Sequence, residues 1–324
     1  MRLKSLAGKV SRQIKPHLTG LPRVEAVKES AEHHFIEAIE TFKADPSGWM
    51  AFRFGLSRRY APETFAQADR ARALKTLERA REEAVAFFDF VREKTKDLRD
   101  ATIWLFADND ILLIARAANA AQRQAVAEHF RALAGGGSVR GVSCEGLPSD
   151  LYTFQKIADE KLLSARRMDV YAAMADAARV RSLNTRRKRR ADPMVLIVED
   201  DRFTASYTAG VLSKSYDLVH VRTGEEGVIA HIEHAPDVVL LDIHLPGLSG
   251  HEVLQAIRAI DPLAFVVMLS VDSEKTGVVS AGEHGAGGFL KKPVSKERLL
   301  AAVAKSPFLR KNRRHTPYER EPIL

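Results

Sequence analysis

Short apolar runs alternate with amphipathic stretches along the last third of the chain. In the stretches between the runs, apolar positions recur every three or four residues, which predicts helices. The runs themselves are typical of buried strands. They cover residues 194–198, 217–221, 238–241, 265–269 and 288–290. Because alternating strands and helices build a parallel sheet covered on both faces, residues 194–306 are predicted to form a flavodoxin-like, doubly wound five-stranded α/β domain.

The pattern before this unit is different and predicts an α+β domain at residues 44–147. A four-residue turn between two apolar runs predicts a β-hairpin in its middle. The expected order is a strand, a helix, two strands, a helix and a strand, at residues 49–54, 62–98, 102–106, 111–114, 120–133 and 138–144. The order βαββαβ is that of a ferredoxin-like fold.

Three further segments complete the predicted organisation. Residues 1–43 are a basic segment followed by a helix, residues 148–193 a helix and a basic linker, and residues 307–324 a basic tail. The helix is expected over 150–180, and its apolar residues form a stripe at helical spacing. Two uses of that stripe stay open: packing on its own domain, and a seam between two copies in a homodimer.

The formal net charge of +8 is concentrated in these flanking segments. Residues 179–193 hold seven Lys or Arg against one Asp, including the run RRKRR at 186–190. Such a run can bind a nucleic-acid backbone. No motif of a known DNA- or RNA-binding fold accompanies it. A solvated linker is therefore the favoured interpretation, and nucleic-acid binding is the alternative.

Composition narrows the class of protein further. The single cysteine, Cys144, excludes an internal disulfide framework and a zinc site built on cysteines. No apolar run approaches the ~18 residues that a membrane-spanning helix needs. A soluble, cytoplasmic protein without a membrane span is expected.

Polar residues stand where the predicted parallel strands end. Glu199 and Asp200 follow the first strand, Asp242 the third, Ser270 the fourth and Lys292 the fifth. In a doubly wound sheet these ends share one edge, where functional groups collect. Three carboxylates in one place require a cation, and Mg²⁺ prefers oxygen ligands. A carboxylate beside Mg²⁺ can accept a phosphoryl group, whose oxygens a hydroxyl and an ammonium can hold.

Residues 194–306 resemble the receiver domain of response regulators in two-component signalling. The resemblance implies a phosphoacceptor domain that receives its phosphoryl group from a histidine kinase or a phosphotransfer protein. It is carried by the stretches VLIVEDD at 195–201, VVLLDIHLPGLSG at 238–250, VVMLS at 266–270 and GAGGFLKKP at 285–293.

The resemblance also implies how the metal is held. Asp242 is the phosphoacceptor, and Glu199 and Asp200 are the acidic pair that binds Mg²⁺ together with it. The backbone carbonyl of His244 is implied as a further metal ligand.

Three more roles follow from the same resemblance. Ser270 is the switch hydroxyl and Lys292 the lysine that binds the phosphoryl group. Phe289 is the switch aromatic.

The order of elements in residues 44–147 is similar to the palm domain of diguanylate cyclases. Those enzymes carry Gly-Gly-Asp-Glu-Phe at the hairpin turn, where this chain has ADNDI at 107–111, without the glycines. Asp110 stands near the place of the catalytic Glu. The resemblance implies a degenerate domain without cyclase activity, and an unrelated α/β domain is the alternative.

The sequence therefore predicts a response regulator of a phosphorelay and not an enzyme. It accepts a phosphoryl group on Asp242 and signals through contacts between domains or with a partner protein. Two alternatives stay open: a nucleic-acid-binding regulator that uses the basic segments, and a nucleotide-binding or cyclase-like output domain in the N-terminal half.

Overall fold

The computed structural model describes residues 24–44, 49–66, 70–96, 98, 100–116, 120–136, 142–271 and 285–311. Within these residues the chain forms two five-stranded sheets. The strands are β1 (Val24–Val27), β2 (Trp49–Gly55), β3 (Ala101–Leu105), β4 (Ile111–Arg116), β5 (Ser143–Leu147), β6 (Met194–Val198), β7 (Asp217–Val221), β8 (Val238–Asp242), β9 (Val266–Ser270) and β10 (Gly288–Lys291).

Helices pack on both sheets and link them. A short 3-10 turn at Pro62–Phe65 precedes the second helix. The helices are α1 (Ala31–Ala44), α2 (Arg70–Lys94), α3 (Ala120–Gly136), α4 (Leu151–Ala175), α5 (Ala177–Arg181), α6 (Leu183–Arg189), α7 (Arg202–Leu212), α8 (Gly224–His234), α9 (Gly250–Ile260), α10 (Lys296–Val303) and α11 (Pro307–Lys311).

The N-terminal sheet has the strand order β1-β3-β4-β2-β5. Strand β2 pairs antiparallel with β4 and β5, and β3 pairs antiparallel with β4. The series β2-α2-β3-β4-α3-β5 confirms the ferredoxin-like order predicted for this unit. One face of the sheet packs on α2 through Phe54, Phe87 and Phe88. The other face carries Trp104, which packs with Phe35 of α1.

Several predicted boundaries in this unit were wrong. Strand β1 was not predicted, because it has only four residues, lies at the edge and leaves its two middle residues exposed. The helix expected at 62–98 is the 3-10 turn followed by α2. Of the strand expected at 138–144, residues 138–141 lie outside the described residues, and the described strand is β5, which extends to Leu147. Residues 1–23 of the predicted basic segment lie outside the described residues.

The helix predicted over 150–180 ends early, at Ala175. Asp176 has an extended backbone, and its side chain accepts hydrogen bonds from the amides of Ala178 and Arg179, so it caps α5 instead of continuing α4. Aspartate often ends a helix in this way, because its carboxylate competes for backbone amides.

Most apolar residues of α4 are covered within the chain. Phe154 and Ala158 are buried against α1, and Val170 and Met174 are buried in a cluster shared with the C-terminal unit. The stripe thus packs within its own chain, which is the first of the two interpretations given above. A homodimer seam through it would have to displace these contacts.

The C-terminal sheet has the order β10-β9-β8-β6-β7, and every pairing in it is parallel. The flavodoxin-like architecture predicted for residues 194–306 is confirmed. Strands β8 and β9 are buried along their whole length. The helix predicted between the fourth and fifth apolar runs, over residues 274–284, falls within residues 272–284, which lie outside the described part of the chain.

The basic run at 186–190 is not a solvated linker, which corrects the favoured interpretation of the sequence. Most of it belongs to α6, which packs at the C-terminal end of α8. Arg186 donates hydrogen bonds to the carbonyl oxygens of Ile232 and Glu233, both at 2.6 Å. Arg190 donates to the carbonyl of Ala235 at 3.0 Å. Cations there satisfy unpaired carbonyls and interact favourably with the helix dipole.

Arg187 is the buried member of this run, with 2% of its surface exposed. Its guanidinium forms an ion pair with Asp261 and donates to the carbonyl of Pro236 at 2.8 Å. The ring of Phe308, in the segment predicted as a basic tail, lies 4.3 Å from the guanidinium carbon. This cation therefore joins α6, the end of α9 and the last described helix.

Replacing Arg187 with methionine is expected to lower the free energy of unfolding by about 3–5 kcal/mol, because Asp261 would stay buried without its cation. Arg189→Met, at an exposed position of the same helix, is the control and should change stability by less than about 0.5 kcal/mol. Urea unfolding of both variants measures the difference. Equal losses would contradict a specific role for Arg187.

The ion pair between Arg187 and Asp261 also makes the stability of the fold depend on pH. Burial opposes ionisation of Asp261, but the hydrogen bond from His231 and the charge of Arg187 outweigh it and lower the pKa of Asp261 to about 2. A folded pKa below the unfolded value stabilises the fold above that unfolded value, about 3.9. The contribution is lost as the pH falls toward 2, and Arg187→Met should weaken this dependence.

Candidate functional site

The order of the parallel strands brings the candidate residues to one edge of the C-terminal sheet. Strand β8 lies between β6 and β9, with Val198 opposite Leu241 and Asp242 opposite Leu269. Glu199, directly after β6, therefore stands beside Asp242 at the end of β8. Both strands are apolar and buried up to the sheet edge, so the acidic residues come at the first positions where the chain can leave the core.

Glu199, Asp200 and Asp242 form an acidic cluster. One carboxylate oxygen from each lies within 4.8 Å of the others, and Glu199 and Asp242 are buried. Burial raises the pKa of Glu199, the Asp242 charge adds to this, and Lys292 opposes it. A donor set made only of closely spaced carboxylate oxygens fits a hard divalent cation such as Mg²⁺.

Lys292 is the cation that contacts this cluster directly. Its Nζ lies 2.6 Å from Oε2 of Glu199 and 3.0 Å from Oδ1 of Asp242. The backbone amide of Lys292 donates to the carbonyl of Ser270 at 2.6 Å, which fixes the start of the lysine side chain beside the end of β9. The ammonium thus lies between Glu199, a candidate metal ligand, and Asp242, the candidate phosphoacceptor.

The other three predicted residues surround this centre. Ser270 is buried and ends β9, one residue beyond the partner of Asp242. Phe289 is half-buried in β10, opposite Met268, and packs against the core. His244 is exposed in the loop after β8. The role of its carbonyl as a metal ligand stays a prediction.

Two residues that the sequence did not suggest hold the acidic pair in place. Nε2 of His220 lies 2.9 Å from the carbonyl oxygen of Glu199, and Arg222 donates to the carbonyl of Asp200 at 3.1 Å. Both come from β7 or the loop that follows it, and β7 pairs with β6. The only available signal was the position of a polar residue opposite Ile197 in a neighbouring strand.

The hairpin turn of the N-terminal unit carries a second pair of buried carboxylates, Asp108 and Asp110. The buried ammonium of Lys161 lies 2.7 Å from Asp108 and 2.6 Å from Asp110. Arg53 pairs with Asp110 at 2.7 Å. The amide of Ser57 also donates to Asp110. Although burial opposes it, Lys161 leads the interactions that lower the pKa of Asp110 to about 2. These carboxylates are thus already matched by cations of the same chain.

In the part of the chain that the structure describes, no helix combines the length and the apolar character that crossing a membrane requires.

Residues 195–304 match the family model described as the response regulator receiver domain. Over 114 residues the chain is 32% identical to the chemotaxis protein CheY of Bacillus subtilis, a match that covers 35% of this chain and 95% of that protein. It is 34% identical over 110 residues to the DNA-binding response regulator MtrA of Mycolicibacterium paratuberculosis, covering 34% of this chain and 48% of that protein.

Among solved structures, the receiver domain of NtrX from Brucella abortus aligns with 30% identity and a TM-score of 0.34, over 35% of this chain and 96% of that one. Each of these matches covers about a third of the chain.

Proposed function

The chain belongs to the response-regulator family through its receiver domain at residues 195–304, and from this premise we propose that Asp242 accepts a phosphoryl group in a two-component phosphorelay. The observation that supports this most is that Asp242 lies in the acidic cluster and also contacts the Lys292 ammonium. Glu199, Asp200 and Asp242 would hold Mg²⁺. The ion would offset their charge and that of the phosphoryl oxygens.

The residues of the chain supply the rest of the chemistry. An oxygen of Asp242 forms a bond to phosphorus while the bond to the donor's histidine nitrogen breaks, and that nitrogen keeps the electron pair. Lys292 exchanges its contact with Asp242 for the new phosphoryl oxygens, which carry more charge. The Ser270 hydroxyl, at the adjacent strand end, donates a hydrogen bond to the same group.

The donor is a histidine kinase or a phosphotransfer protein, and we place its docking surface on α7. Phe203 is 85% exposed and Tyr207 48% exposed on this helix. Both line an apolar cleft of about 380 Å³ that also reaches Lys292 and Pro293. A donor histidine that approaches Asp242 would bring its own helix against this surface, because Lys292 lines the cleft and contacts Asp242.

Incubation of the full chain with Mg²⁺ and acetyl phosphate tests the proposal. The intact mass should increase by one phosphoryl group, and chelation of Mg²⁺ should prevent the increase. Asp200→Asn should weaken Mg²⁺ binding, because it removes one carboxylate from the cluster. Absence of any phosphorylated species with Mg²⁺ present would contradict the proposal.

Phosphorylation is expected to change the segment around β9, β10 and α10. When Lys292 and Ser270 bond to the phosphoryl group, the ends of both strands shift toward Asp242, and the half-buried Phe289 can turn inward. The phosphoryl group shifts the equilibrium between two conformations of the receiver domain only if its bonds are stronger in one of them. Hydrogen exchange with and without beryllium fluoride should therefore show changes in residues 270–304, absent in Ser270→Ala and Lys292→Ala. Changes confined to 194–202 would rule out this surface.

We propose that the signal leaves through the junction with the N-terminal unit. Phe65 of that unit and Tyr171 and Met174 of α4 share one buried cluster with Val253 and Leu254 of α9. Met268 of β9 lies in this cluster and Phe289 packs against it, so a change at the switch aromatic acts on contacts that the cluster makes with the N-terminal half.

The contacts in the structure favour neither a cyclase site at the hairpin turn nor nucleic-acid binding through the basic run. Asp108 and Asp110 are matched by Lys161, which leaves no free carboxylate at the turn for a cyclase metal, so we assign no cyclase activity to this unit. Arg186 and Arg187 of the basic run are bonded to the receiver domain, which makes them unsuited to hold a nucleic-acid backbone.

A further inference from the structure

A cleft of about 230 Å³ opens between the loop after β2, the hairpin turn and α4. It lies on the N-terminal unit, apart from the acidic cluster around Asp242. Arginine is the most frequent residue in its lining, with Arg58 and Arg59 from the loop and Arg167 from the helix. Ser57 and Ser164 add two hydroxyl groups.

The charges that line this cleft are unbalanced, because its two acidic residues already contact cations that do not line it. Asp108 is matched by Lys161 at 2.7 Å, and Glu160 is matched by Arg53 at 2.7 Å. Asp110 shares both of these cations, but with all three carboxylates counted the arginines of the lining still leave an excess of positive charge.

Its cations lack comparable partners. Within the described residues, the side chains of Arg59 and Arg167 form no ion pair or hydrogen bond, and that of Arg58 only approaches Glu83, at 3.6 Å. Three arginines thus line one open space, and the ion pair of Arg58 with Glu83 at 3.6 Å is the one such contact found for their side chains within the described residues.

We propose that this cleft binds a small phosphorylated ligand. A guanidinium matches phosphate oxygens with two parallel hydrogen bonds, and serine hydroxyls are additional donors to the same oxygens. Leu163, Met168 and the ring of Tyr171 complete the wall with apolar surface that can cover an organic group attached to the phosphate.

The position of the cleft links such a ligand to the receiver domain. Tyr171 stacks on Phe65 with ring centroids 5.2 Å apart, and its hydroxyl accepts a hydrogen bond from the amide of Tyr60 at 3.2 Å. Tyr171 and Phe65 belong to the buried cluster shared with α9. Ligand binding would therefore act on the same junction through which we propose the phosphorylation signal passes.

Calorimetric titration of the full chain with inorganic pyrophosphate tests this site. The titration is done at constant ionic strength and with divalent cations chelated, since the receiver site also attracts phosphate through Lys292. Arg167→Gln is expected to lower the affinity about tenfold, as the loss of hydrogen bonds to a charged group predicts. Arg59→Gln should act in the same direction.

Arg166→Gln is the matched control, because it removes the same charge from the adjacent, exposed position of α4, outside the cleft lining. It should bind pyrophosphate within about twofold of the unchanged chain, a difference below 0.5 kcal/mol. The proposal is overturned if the unchanged chain shows no saturable binding, or if Arg166→Gln and Arg167→Gln lose affinity equally. Loss of binding in Lys292→Ala, with none in Arg167→Gln and Arg59→Gln, would also overturn it and assign the anion to the receiver site.

Discussion

Replacing Asp242 with asparagine is expected to abolish phosphorylation of the chain by acetyl phosphate in the presence of Mg²⁺. The asparagine amide is too weak a nucleophile to form an acyl phosphate. The substitution also removes one of the three carboxylates that would hold Mg²⁺. Intact-mass measurement over time, on both proteins under the same conditions, shows the difference.

Asp201→Asn is the matched control for this experiment. Asp201 is the next acidic residue beside the cluster, but its carboxylate accepts the amide of Thr204 and caps α7. Asparagine caps a helix as well as aspartate does, so phosphorylation should persist in this variant. A phosphoryl group that remains on Asp242→Asn would show that another residue is the acceptor.

The stability of Asp242→Asn separates a chemical loss from a loss of fold. Removing one carboxylate from a crowded acidic cluster relieves repulsion, so this variant should unfold at the same or at a higher temperature than the unchanged chain. A much lower unfolding temperature would mean that the mass result cannot be assigned to the acceptor alone.

Replacing Lys161 with methionine is expected to lower the free energy of unfolding by about 3–5 kcal/mol, since it would leave the buried carboxylates of Asp108 and Asp110 without their shared ammonium. Methionine keeps a similar volume, so packing alone should lose little. Lys156→Met, exposed on the same helix, is the control and should change the value by less than about 0.5 kcal/mol. Urea unfolding measures both, and similar losses would contradict the role given to Lys161.

A second substitution identifies the carboxylate that causes the loss. Asp110 keeps Arg53 and two backbone amides when Lys161 is removed, whereas the ion pair of Asp108 is lost. Burial raises the pKa of Asp108, which marks it as the less favourably placed of the two. Asp108→Asn should therefore restore part of the stability in the Lys161→Met background, and the double-mutant cycle should show non-additive effects. Strictly additive effects would mean that the two side chains do not interact.

The receiver domain could be predicted almost completely from the sequence because its signals are local. Each buried strand is a short apolar run, and Glu199, Asp242 and Ser270 lie at or directly after the ends of such runs. Once the parallel arrangement is inferred, the sheet edge brings these residues together without further information. What the pattern could not supply was the support from His220 and Arg222, because it depends on which strand pairs with β6.

In the N-terminal unit, the periodicity of apolar residues predicted the order of the elements but not all of their bounds. The order βαββαβ followed from a hairpin turn and alternating runs, and it was confirmed. Strand β1 was missed because four half-exposed residues give no period, and its partner β3 lies more than 70 residues further along the chain. The end of α4 was missed because a single Asp176 interrupts an otherwise continuous apolar stripe.

The fold class could be predicted from the sequence, whereas the partners of the buried charged residues could not. By itself, the sequence determined the fold class of both units and the acidic edge of the receiver sheet, since these follow from apolar runs and the residues next to them. Only the tertiary structure decided that Lys161 is buried between carboxylates 51 and 53 residues away, and that Arg187 pairs with Asp261, 74 residues away. The physical reason is that a charge stays in solvent unless distant partners offset its desolvation, and such partners are known only after folding.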